Sequence, residues 1–210
     1  MKRVLLLAIL TISIPSLLYA GNKTKKAAEP AAAPADDHEI HWITSFDELQ
    51  QKMKEHPKKV YIDIYTGWCG WCKKMDASTF NNPALIKYMN TNFYAVKFDA
   101  ERQDVINFQG KEYRFEPQYK SNTLAVELMK GQMSYPTTIF MVENFQNPTP
   151  IPGYMTVAQI EPIMSYFGDN AYKHVSWDAY QKTFHTTWDN GQAPDMTPPP
   201  GHQGMSPDLH

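Results

Sequence analysis

Apolar residues in the middle of the chain alternate between short β-branched runs and stripes with helical spacing. The run over 60–65 is almost continuously apolar, which predicts a buried strand. Similar runs predict strands over 93–99 and 137–142, and 151–155 predicts a short strand at a sheet edge. Because helical patterns separate these strands, the order of elements predicts an α/β fold with a central mixed β-sheet flanked by helices.

Capping residues mark where the predicted helices begin. Ser45 with Glu48 forms a capping-box pattern, as does Thr156 with Gln159, and Pro83 suits the first turn of another helix. With a further helix starting at the end of the first long strand, the predicted helices are 45–56, 70–80, a piece starting at 82–83, 122–130 and 156–167.

Aromatic residues near the end of the folded region are spaced as on one face of a helix. This spacing predicts an added C-terminal helix that packs on the domain. Its stripe consists of Trp177, Tyr180, Phe184 and Trp188.

The start of the chain has the pattern of a secretory signal. Lys2 and Arg3 precede an apolar run over 4–14, and a small residue, Ala20, precedes the predicted cleavage point. The apolar run is short for a membrane span, so we predict a signal peptide over 1–20 and no stable membrane span after its removal. An uncleaved N-terminal anchor is the alternative. The predicted location is the periplasm or another exported compartment.

Composition predicts one folded domain between two disordered ends. Residues 21–38 are rich in Ala, Pro and Lys and predict a disordered linker, and 191–210 is rich in Pro and Gly and predicts a disordered tail. The remainder, 39–190, is within the usual range for one domain. The net charge is −2 and no basic cluster stands out, which argues against nucleic acid as a partner.

The only two cysteines of the 210 residues stand in the segment Trp-Cys-Gly-Trp-Cys. Cys69 and Cys72 fall at the predicted start of a helix, where a thiolate on the first cysteine is favoured. This predicts redox exchange; a structural disulfide and a metal site are the alternatives. Zinc normally takes four ligands, and no second Cys-X-X-Cys or paired His motif is present, so we predict neither metal nor other cofactor.

Five segments of the chain stand in the same order as in a known superfamily. They are Val60-Tyr61-Ile62-Asp63-Ile64-Tyr65, Trp68-Cys69-Gly70-Trp71-Cys72-Lys73, Lys97-Phe98-Asp99, Tyr135-Pro136-Thr137 and Gly153. Together they resemble the thioredoxin superfamily over roughly 42–167, and the resemblance implies a thioredoxin-like fold. An insertion separates Asp99 from Pro136 and comes before the cis-proline loop of the family.

The resemblance implies a role for each residue of the catalytic centre. Cys69 is expected to be the exposed nucleophile, and Cys72 the shielded thiol that resolves the mixed disulfide. Asp63 is expected to be a semi-buried carboxylate that accepts the proton of Cys72, although a strand-edge acid would look the same. Pro136 corresponds to the family's cis-proline, whose loop offers the backbone of Tyr135 to a substrate.

Other residues of the motif have a functional and a purely structural interpretation. Trp68 is expected to cover one side of the site and Trp71 to be partly exposed; each either contacts the substrate or only packs. Lys97 either tunes Asp63 or is an ordinary surface charge. Gly70 and Lys73 are expected to support the site.

Two departures from the family pattern limit these expectations. Trp71 replaces the proline that thioredoxin itself has between its cysteines, so the direction of electron flow does not follow from the sequence. The insertion over 100–134 is rich in aromatic residues, with a hairpin turn predicted at Gly110-Lys111. It is expected to form a lid or a docking surface beside the site.

The resulting hypothesis is an exported protein-disulfide oxidoreductase with a reductase or disulfide-repair role. Its partners would be protein substrates with thiols or disulfides, and a redox protein that recycles Cys69 and Cys72. The alternative hypothesis is a thioredoxin-fold protein-binding module in which the disulfide is structural.

Overall fold

The computed structural model describes residues 38–189 and 196–199. The predicted signal peptide, nearly all of the predicted linker and most of the predicted tail lie outside these residues. In chain order the elements are β1 (Trp42–Ile43), α1 (Phe46–Glu55), β2 (Lys59–Tyr65), α2 (Gly70–Ala77), α3 (Pro83–Asn92), β3 (Phe93–Asp99), β4 (Ile106–Phe108), β5 (Lys111–Tyr113), β6 (Phe115–Glu116), β7 (Ser121–Asn122), α4 (Thr123–Leu128), β8 (Thr137–Val142), β9 (Gln146–Pro152), α5 (Val157–Gly168) and α6 (Trp177–Thr183).

A five-stranded mixed sheet forms the centre, in the order β1-β3-β2-β8-β9. Strands β1 and β2 run parallel to β3, whereas β8 pairs antiparallel with β2 and β9 antiparallel with β8. The predicted α/β thioredoxin-like fold, with a mixed sheet flanked by helices, is therefore confirmed.

The sheet separates two hydrophobic cores, and successive residues of a strand face opposite cores. In β8, Ile139 belongs to the core that includes side chains of α1 and α4. Its neighbour Phe140 belongs to the other core, with side chains of α2, α3 and α5. Both side chains are fully buried. Such two-sided burial explains why the central strands are nearly continuous apolar runs.

Two helices are shorter than predicted because caps intervene. Helix α2 ends at Ala77, and a 3₁₀ turn over Thr79–Asn81 leads to α3, where the Asn82 side chain accepts from the backbone N–H of Leu85. Helix α4 covers only Thr123–Leu128 of the predicted 122–130: the Asn122 side chain caps its start, and Lys130 and Gly131, both with positive φ, follow its C-cap Met129.

The predicted edge strand 151–155 is wrong in its bounds, because β9 covers Gln146–Pro152. Three of its residues are proline, at positions 148, 150 and 152. Proline lacks an N–H and weakens a strand pattern, but an edge strand tolerates it. After the strand, Gly153 has a φ of +97° and donates from its backbone to the carbonyl of Pro136, at 2.8 Å.

The predicted aromatic stripe does not lie on one helix. Helix α6 ends at Thr183, and Trp188 belongs to an extended segment after it. The carboxylate of Glu161, which is 1% exposed, holds this segment by accepting from the backbones of Thr187 and Trp188 and from the Thr187 hydroxyl, at 2.7–3.0 Å. The ring of Trp188 contacts that of Tyr88 instead, with centroids 4.9 Å apart.

The insertion folds as two small hairpins followed by α4. Strands β4 and β5 pair with each other, as do β6 and β7. The first hairpin turns at Gln109 and Gly110, which both have positive φ, so the turn lies one residue before the predicted Gly110-Lys111. No helix of the described ranges is long and apolar enough to cross a membrane.

Candidate active site around the cysteine pair

Cys69 and Cys72 lie where β2 leads into α2, and they form a disulfide with a Cα–Cα distance of 5.3 Å. Cys69 is the N-cap residue of the helix. Its Sγ accepts from the backbone N–H of Cys72 at 3.0 Å. This donor belongs to the helix N-terminus, where unpaired N–H groups and the positive end of the dipole stabilise negative charge. A thiolate on Cys69 would occupy the same position.

Both cysteines are buried in this oxidised form. Cys72 is 2% exposed, as the expectation of a shielded resolving thiol requires. The expectation of an exposed Cys69 is wrong for this form, since its exposure is 3%. Neighbouring groups therefore cover Cys69 in this form.

Asp63 lies inside the sheet, in register with Lys97 of β3 on one side and Thr138 of β8 on the other. Its exposure is 1%, so the predicted burial is confirmed. One oxygen, Oδ2, lies 2.6 Å from the Lys97 amine, and Oδ1 has no hydrogen-bond partner within the described residues. Burial raises the pKa of Asp63 to about 6, although Lys97 opposes the shift.

Lys97 connects the buried carboxylate to the surface of α2. Its amine forms ion pairs with Asp63 and with Asp76, a residue in the second half of that helix. Its side chain is only 15% exposed, so the interpretation as a surface charge is wrong. Burial lowers the pKa of Lys97, but the two carboxylates outweigh this and raise it overall. Lys97 therefore stays charged at neutral pH.

Trp68 presents an exposed indole beside the disulfide. It is 62% exposed, yet its Nε1 donates to Glu101 at 3.0 Å and its ring packs edge-on against Tyr135, with centroids 5.8 Å apart. Two contacts therefore orient a large apolar surface that remains open to a partner.

The loop before β8 carries the predicted proline. The Tyr135–Pro136 peptide bond is cis, as the resemblance implied. The Tyr135 hydroxyl lies 2.9 Å from the hydroxyl of Ser121, which belongs to the insertion. The insertion thus contacts the loop that, by resemblance, faces the dithiol.

Trp71 and Tyr154 form a second aromatic pair at the site, with centroids 5.3 Å apart. The amine of Lys74 lies 5.6 Å from the Trp71 ring centroid and 5.9 Å from that of Tyr154. Trp71 is half-buried, as expected. We refer to Trp71, Lys74 and Tyr154 as the aromatic ledge.

Of the predicted supporting residues, Gly70 is the first residue of α2 and is half-buried. Lys73 is exposed, and its backbone N–H donates to the carbonyl of Cys69 at 3.2 Å. The described residues contain no group of three or more His, Cys, Asp or Glu side chains that could hold a metal.

Sequence reasoning missed four residues that the fold brings to the site. Asp76 and Lys74 lie on α2, and their helical spacings, four residues after Cys72 and three after Trp71, were usable signals. Glu101 and Tyr154 come from distant segments, and their proximity follows only from the tertiary structure. The missed set is Lys74, Asp76, Glu101 and Tyr154.

Curated relatives match parts of the chain. It is 32% identical over 85 residues to uncharacterized protein B0495.5 of Caenorhabditis elegans, covering 40% of this chain and 12% of the relative. It is 26% identical over 108 residues to the thiol:disulfide interchange protein DsbD of Campylobacter jejuni, covering 49% of this chain and 19% of the relative. The chain therefore matches less than a fifth of the length of either protein.

Solved structures with a similar fold include a thioredoxin-fold protein from Helicobacter pylori, with 18% identity and a TM-score of 0.47. That comparison covers 71% of this chain and 89% of the other. A DsbH oxidoreductase has 15% identity and a TM-score of 0.43, covering 70% of this chain and 95% of the other.

A family model describes proteins under the heading Thioredox_DsbH, protein of unknown function, DUF255, and it matches residues 22–187. The chain therefore belongs to this DsbH/DUF255 family of thioredoxin-fold proteins and carries a Cys-X-X-Cys pair at Cys69 and Cys72.

Proposed function

We propose that this protein reduces or repairs disulfides of client proteins through Cys69 and Cys72. The observation that carries the proposal is the hydrogen bond from the backbone N–H of Cys72 to Sγ of Cys69, at the start of α2. A donor in this position stabilises a thiolate, which is the form of cysteine that attacks disulfides.

The proposed cycle starts from the dithiol. The Cys69 thiolate attacks one sulfur of a client disulfide, forms a mixed disulfide and displaces the other client sulfur as a thiolate. Cys72 then loses its proton and attacks Sγ of Cys69, which releases the second client sulfur and forms the disulfide described above. The client gains two electrons, and the pair must regain two from a partner dithiol.

Asp63 is the proposed acceptor of the proton that Cys72 loses. It is buried, its Oδ1 has no partner in the described part of the chain, and its pKa of about 6 is close to neutral pH. A base with such a pKa is suited to proton transfer near pH 7. In the reductive direction this base acts at the step in which Cys72 attacks and the reduced client is released.

Trp68, Tyr135 and Pro136 are the proposed contacts of the client. The exposed indole of Trp68 offers an apolar surface, and the backbone of the cis-proline loop offers polar groups to an extended chain. The combination suits a protein substrate better than a small thiol.

Reduction of insulin, followed by turbidity, tests the proposal. The unmodified protein should accelerate precipitation with dithiothreitol as the electron source, and Cys69→Ser should not exceed the uncatalysed rate. Cys72→Ser is the matched control, because it keeps the nucleophile and should accumulate a mixed disulfide with the client. Equal activity of the unmodified protein and Cys69→Ser would disprove the proposal.

The burial of Cys69 favours a second candidate, a binding module with a structural disulfide. At 3% exposure this sulfur resembles a structural bridge more than a catalytic one. The reduction potential, measured by equilibration with glutathione, separates the candidates. A catalytic pair should titrate within the range of the thioredoxin fold, whereas a structural disulfide should resist reduction.

We also propose export to an oxidising compartment, on the basis of the signal pattern over 1–20. A fusion of residues 1–38 to alkaline phosphatase, which is active only after export, should be active in bacterial cells. A fusion from which the run over 4–14 has been removed is the control and should be inactive.

A further inference from the structure

The aromatic ledge has a specific neighbour within the chain. The amine of Lys74 donates to the backbone carbonyl of Thr197, which lies in the described segment Met196–Pro199. The same amine lies over the rings of Trp71 and Tyr154. One side chain thus connects the rings beside the disulfide to a segment more than 120 positions later in the chain.

Trp188, near the end of the described range 38–189, lies beside the turn that follows α2. The carbonyl of Trp188 accepts from the side chain of Asn82 at 3.0 Å, and Asn82 follows the 3₁₀ turn after α2. The backbone N–H of Trp188 in turn donates to the buried carboxylate of Glu161. The chain therefore passes residue 188 next to the helix pair whose first member carries Lys74.

The sequence of the segment suits an aromatic surface. Thr197 precedes three consecutive prolines, at 198–200. Consecutive prolines favour the extended polyproline II conformation, which loses little entropy on binding. Proteins that recognise such segments use grooves lined by aromatic rings and add hydrogen bonds to the exposed carbonyls. Trp71 and Tyr154 provide rings, and Lys74 provides the donor to the Thr197 carbonyl.

We propose that the aromatic ledge is a docking site for the chain's own proline-rich segment, Met196–Pro199, and that this segment covers the Trp71 side of the disulfide. The docking itself does not depend on the proposed function; its consequence for client exchange does. A client must displace the segment before its sulfur reaches Cys69.

The proposal explains how a buried sulfur can still exchange. Trp68, on the other side of the motif, is held by Glu101 and Tyr135. The segment is attached through a hydrogen bond that is exposed to solvent, and exposed contacts of this kind are weak. Of the groups that surround the disulfide, the segment Met196–Pro199 is therefore the one that moves most easily.

The test uses the full chain with both Pro198→Gly and Pro199→Gly, which loosens the segment and leaves α2 unchanged. Pro57→Gly, at an exposed loop proline, is the matched control. The oxidised proteins are reduced with dithiothreitol and followed by stopped-flow fluorescence. The double variant should be reduced about fivefold faster, as expected for the loss of one modest contact, and the control should match the unmodified protein.

Nuclear magnetic resonance provides a second measurement on the same variant. The indole N–H signal of Trp71 should shift, whereas that of Trp188, held by Glu161, should not and so reports an intact fold. Lys74→Met and Tyr154→Ala should produce the same Trp71 shift, because each removes a side chain of the aromatic ledge. Lys87→Met and Tyr119→Ala are the controls and should leave the Trp71 signal unchanged.

Either an unchanged reduction rate or an unshifted Trp71 signal in the double variant overturns the proposal. If Lys74→Met and Tyr154→Ala slow insulin reduction while the double variant behaves like the unmodified protein, the ledge binds the client instead, and the proposal is also wrong. If the double variant behaves as expected but insulin is not reduced, the docking stands and the proposed reductase function fails.

Discussion

At the scale of single residues, the buried carboxylate of Asp63 makes the stability of the fold depend on pH. The ordinary pKa of an aspartate is 3.8, and in the folded protein the pKa of Asp63 is about 6. The folded state therefore keeps a proton between these values that the unfolded chain has lost. As a result, the free energy of unfolding should fall as the pH rises from about 4 to about 6.

Asp63→Asn should remove this dependence, because an amide does not ionise. Above pH 6 the variant should be more stable than the unmodified protein by up to about 3 kcal/mol, which corresponds to the pKa difference. Its client release should slow about 100-fold, as for loss of a general base. Urea denaturation from pH 4 to pH 8 and single-turnover insulin reduction measure the two effects. An unchanged slope of stability against pH would contradict the assignment.

Substitutions of Asp76 and Lys97, the two charged neighbours of Asp63, should shift the pKa of Asp63 in opposite directions. Asp76→Asn removes a negative charge and leaves the Lys97 amine to Asp63 alone, so the pKa should fall. Lys97→Gln removes the opposing cation, so the pKa should rise above 6. Carbon-13 detection of the Asp63 carboxylate gives both values. Asp99→Asn, at the end of the same strand as Lys97, is the control, and equal shifts in both variants would contradict the arrangement.

These residues also show what sequence reasoning can reach at this scale. The burial of Asp63 was predictable because apolar residues flank it in a strand. The burial of Lys97 was not, since it depends on the register between β2 and β3. Asp76 has an exposed side chain on a helix surface, and only its ion pair with Lys97 relates it to the site.

At the scale of elements, Glu161 acts as an internal cap for the chain after α6. Its carboxylate lies in the middle of α5 and accepts from the backbone N–H groups of Thr187 and Trp188. These two residues belong to no helix or strand that could pair their N–H groups. A buried carboxylate is normally unfavourable, and here the hydrogen bonds offset its burial. This explains why an apparently exposed terminal segment follows a fixed path.

Glu161→Gln should release that segment, because the amide NH₂ would face backbone donors. We expect a loss of about 2 kcal/mol in the free energy of unfolding, together with faster hydrogen exchange at Thr187 and Trp188. Glu127→Gln, in an exposed pair with Lys111, should cost under about 1 kcal/mol. Equal losses in the two variants would contradict the role of Glu161.

Element boundaries were predictable where a local capping signal exists. The Thr156 and Gln159 capping box occurs as the sequence indicates, and the Asn82-Pro83 pair starts α3. The end of α6 and the start of β9 were not predictable. The first depends on a distant carboxylate, and the second on pairing with β8, which overrides the low strand propensity of proline.

At the scale of the whole molecule, a single sheet carries both cores. Ile139 and Phe140 are adjacent in β8 but face opposite sides of that sheet. Disturbing either core therefore disturbs the strand they share. This arrangement predicts that the described domain unfolds as one cooperative unit.

Ile139→Ala and Phe140→Ala should each lower the free energy of unfolding, by about 2–5 and about 3–5 kcal/mol respectively. In both variants, urea transitions followed by tryptophan fluorescence and by circular dichroism should coincide. Val105→Ala, at an exposed position, is the control and should change little. Separate transitions by the two probes would show that the cores unfold independently.

The fold class was predictable because it depends on local apolar runs and on the order of the elements. Of the two hairpins in the insertion, only the first turn was predictable, to within one residue, since the strands are two or three residues long and depend on contacts rather than on periodicity. The occlusion of Cys69 was missed for a similar reason. Burial of a helix-start residue depends on the loops and rings that surround it, which come from several separate segments.

The prolines of β9 have a consequence for how copies of this protein meet. Alternate residues of a strand point their backbone groups to the same side, and Gly153, in phase with Thr149 and Ile151, donates towards the β8 side. Pro150 and Pro152 therefore face outward, where they offer carbonyls but no N–H groups. A foreign strand needs both to continue a sheet. This edge thus resists strand-to-strand aggregation between copies of the protein.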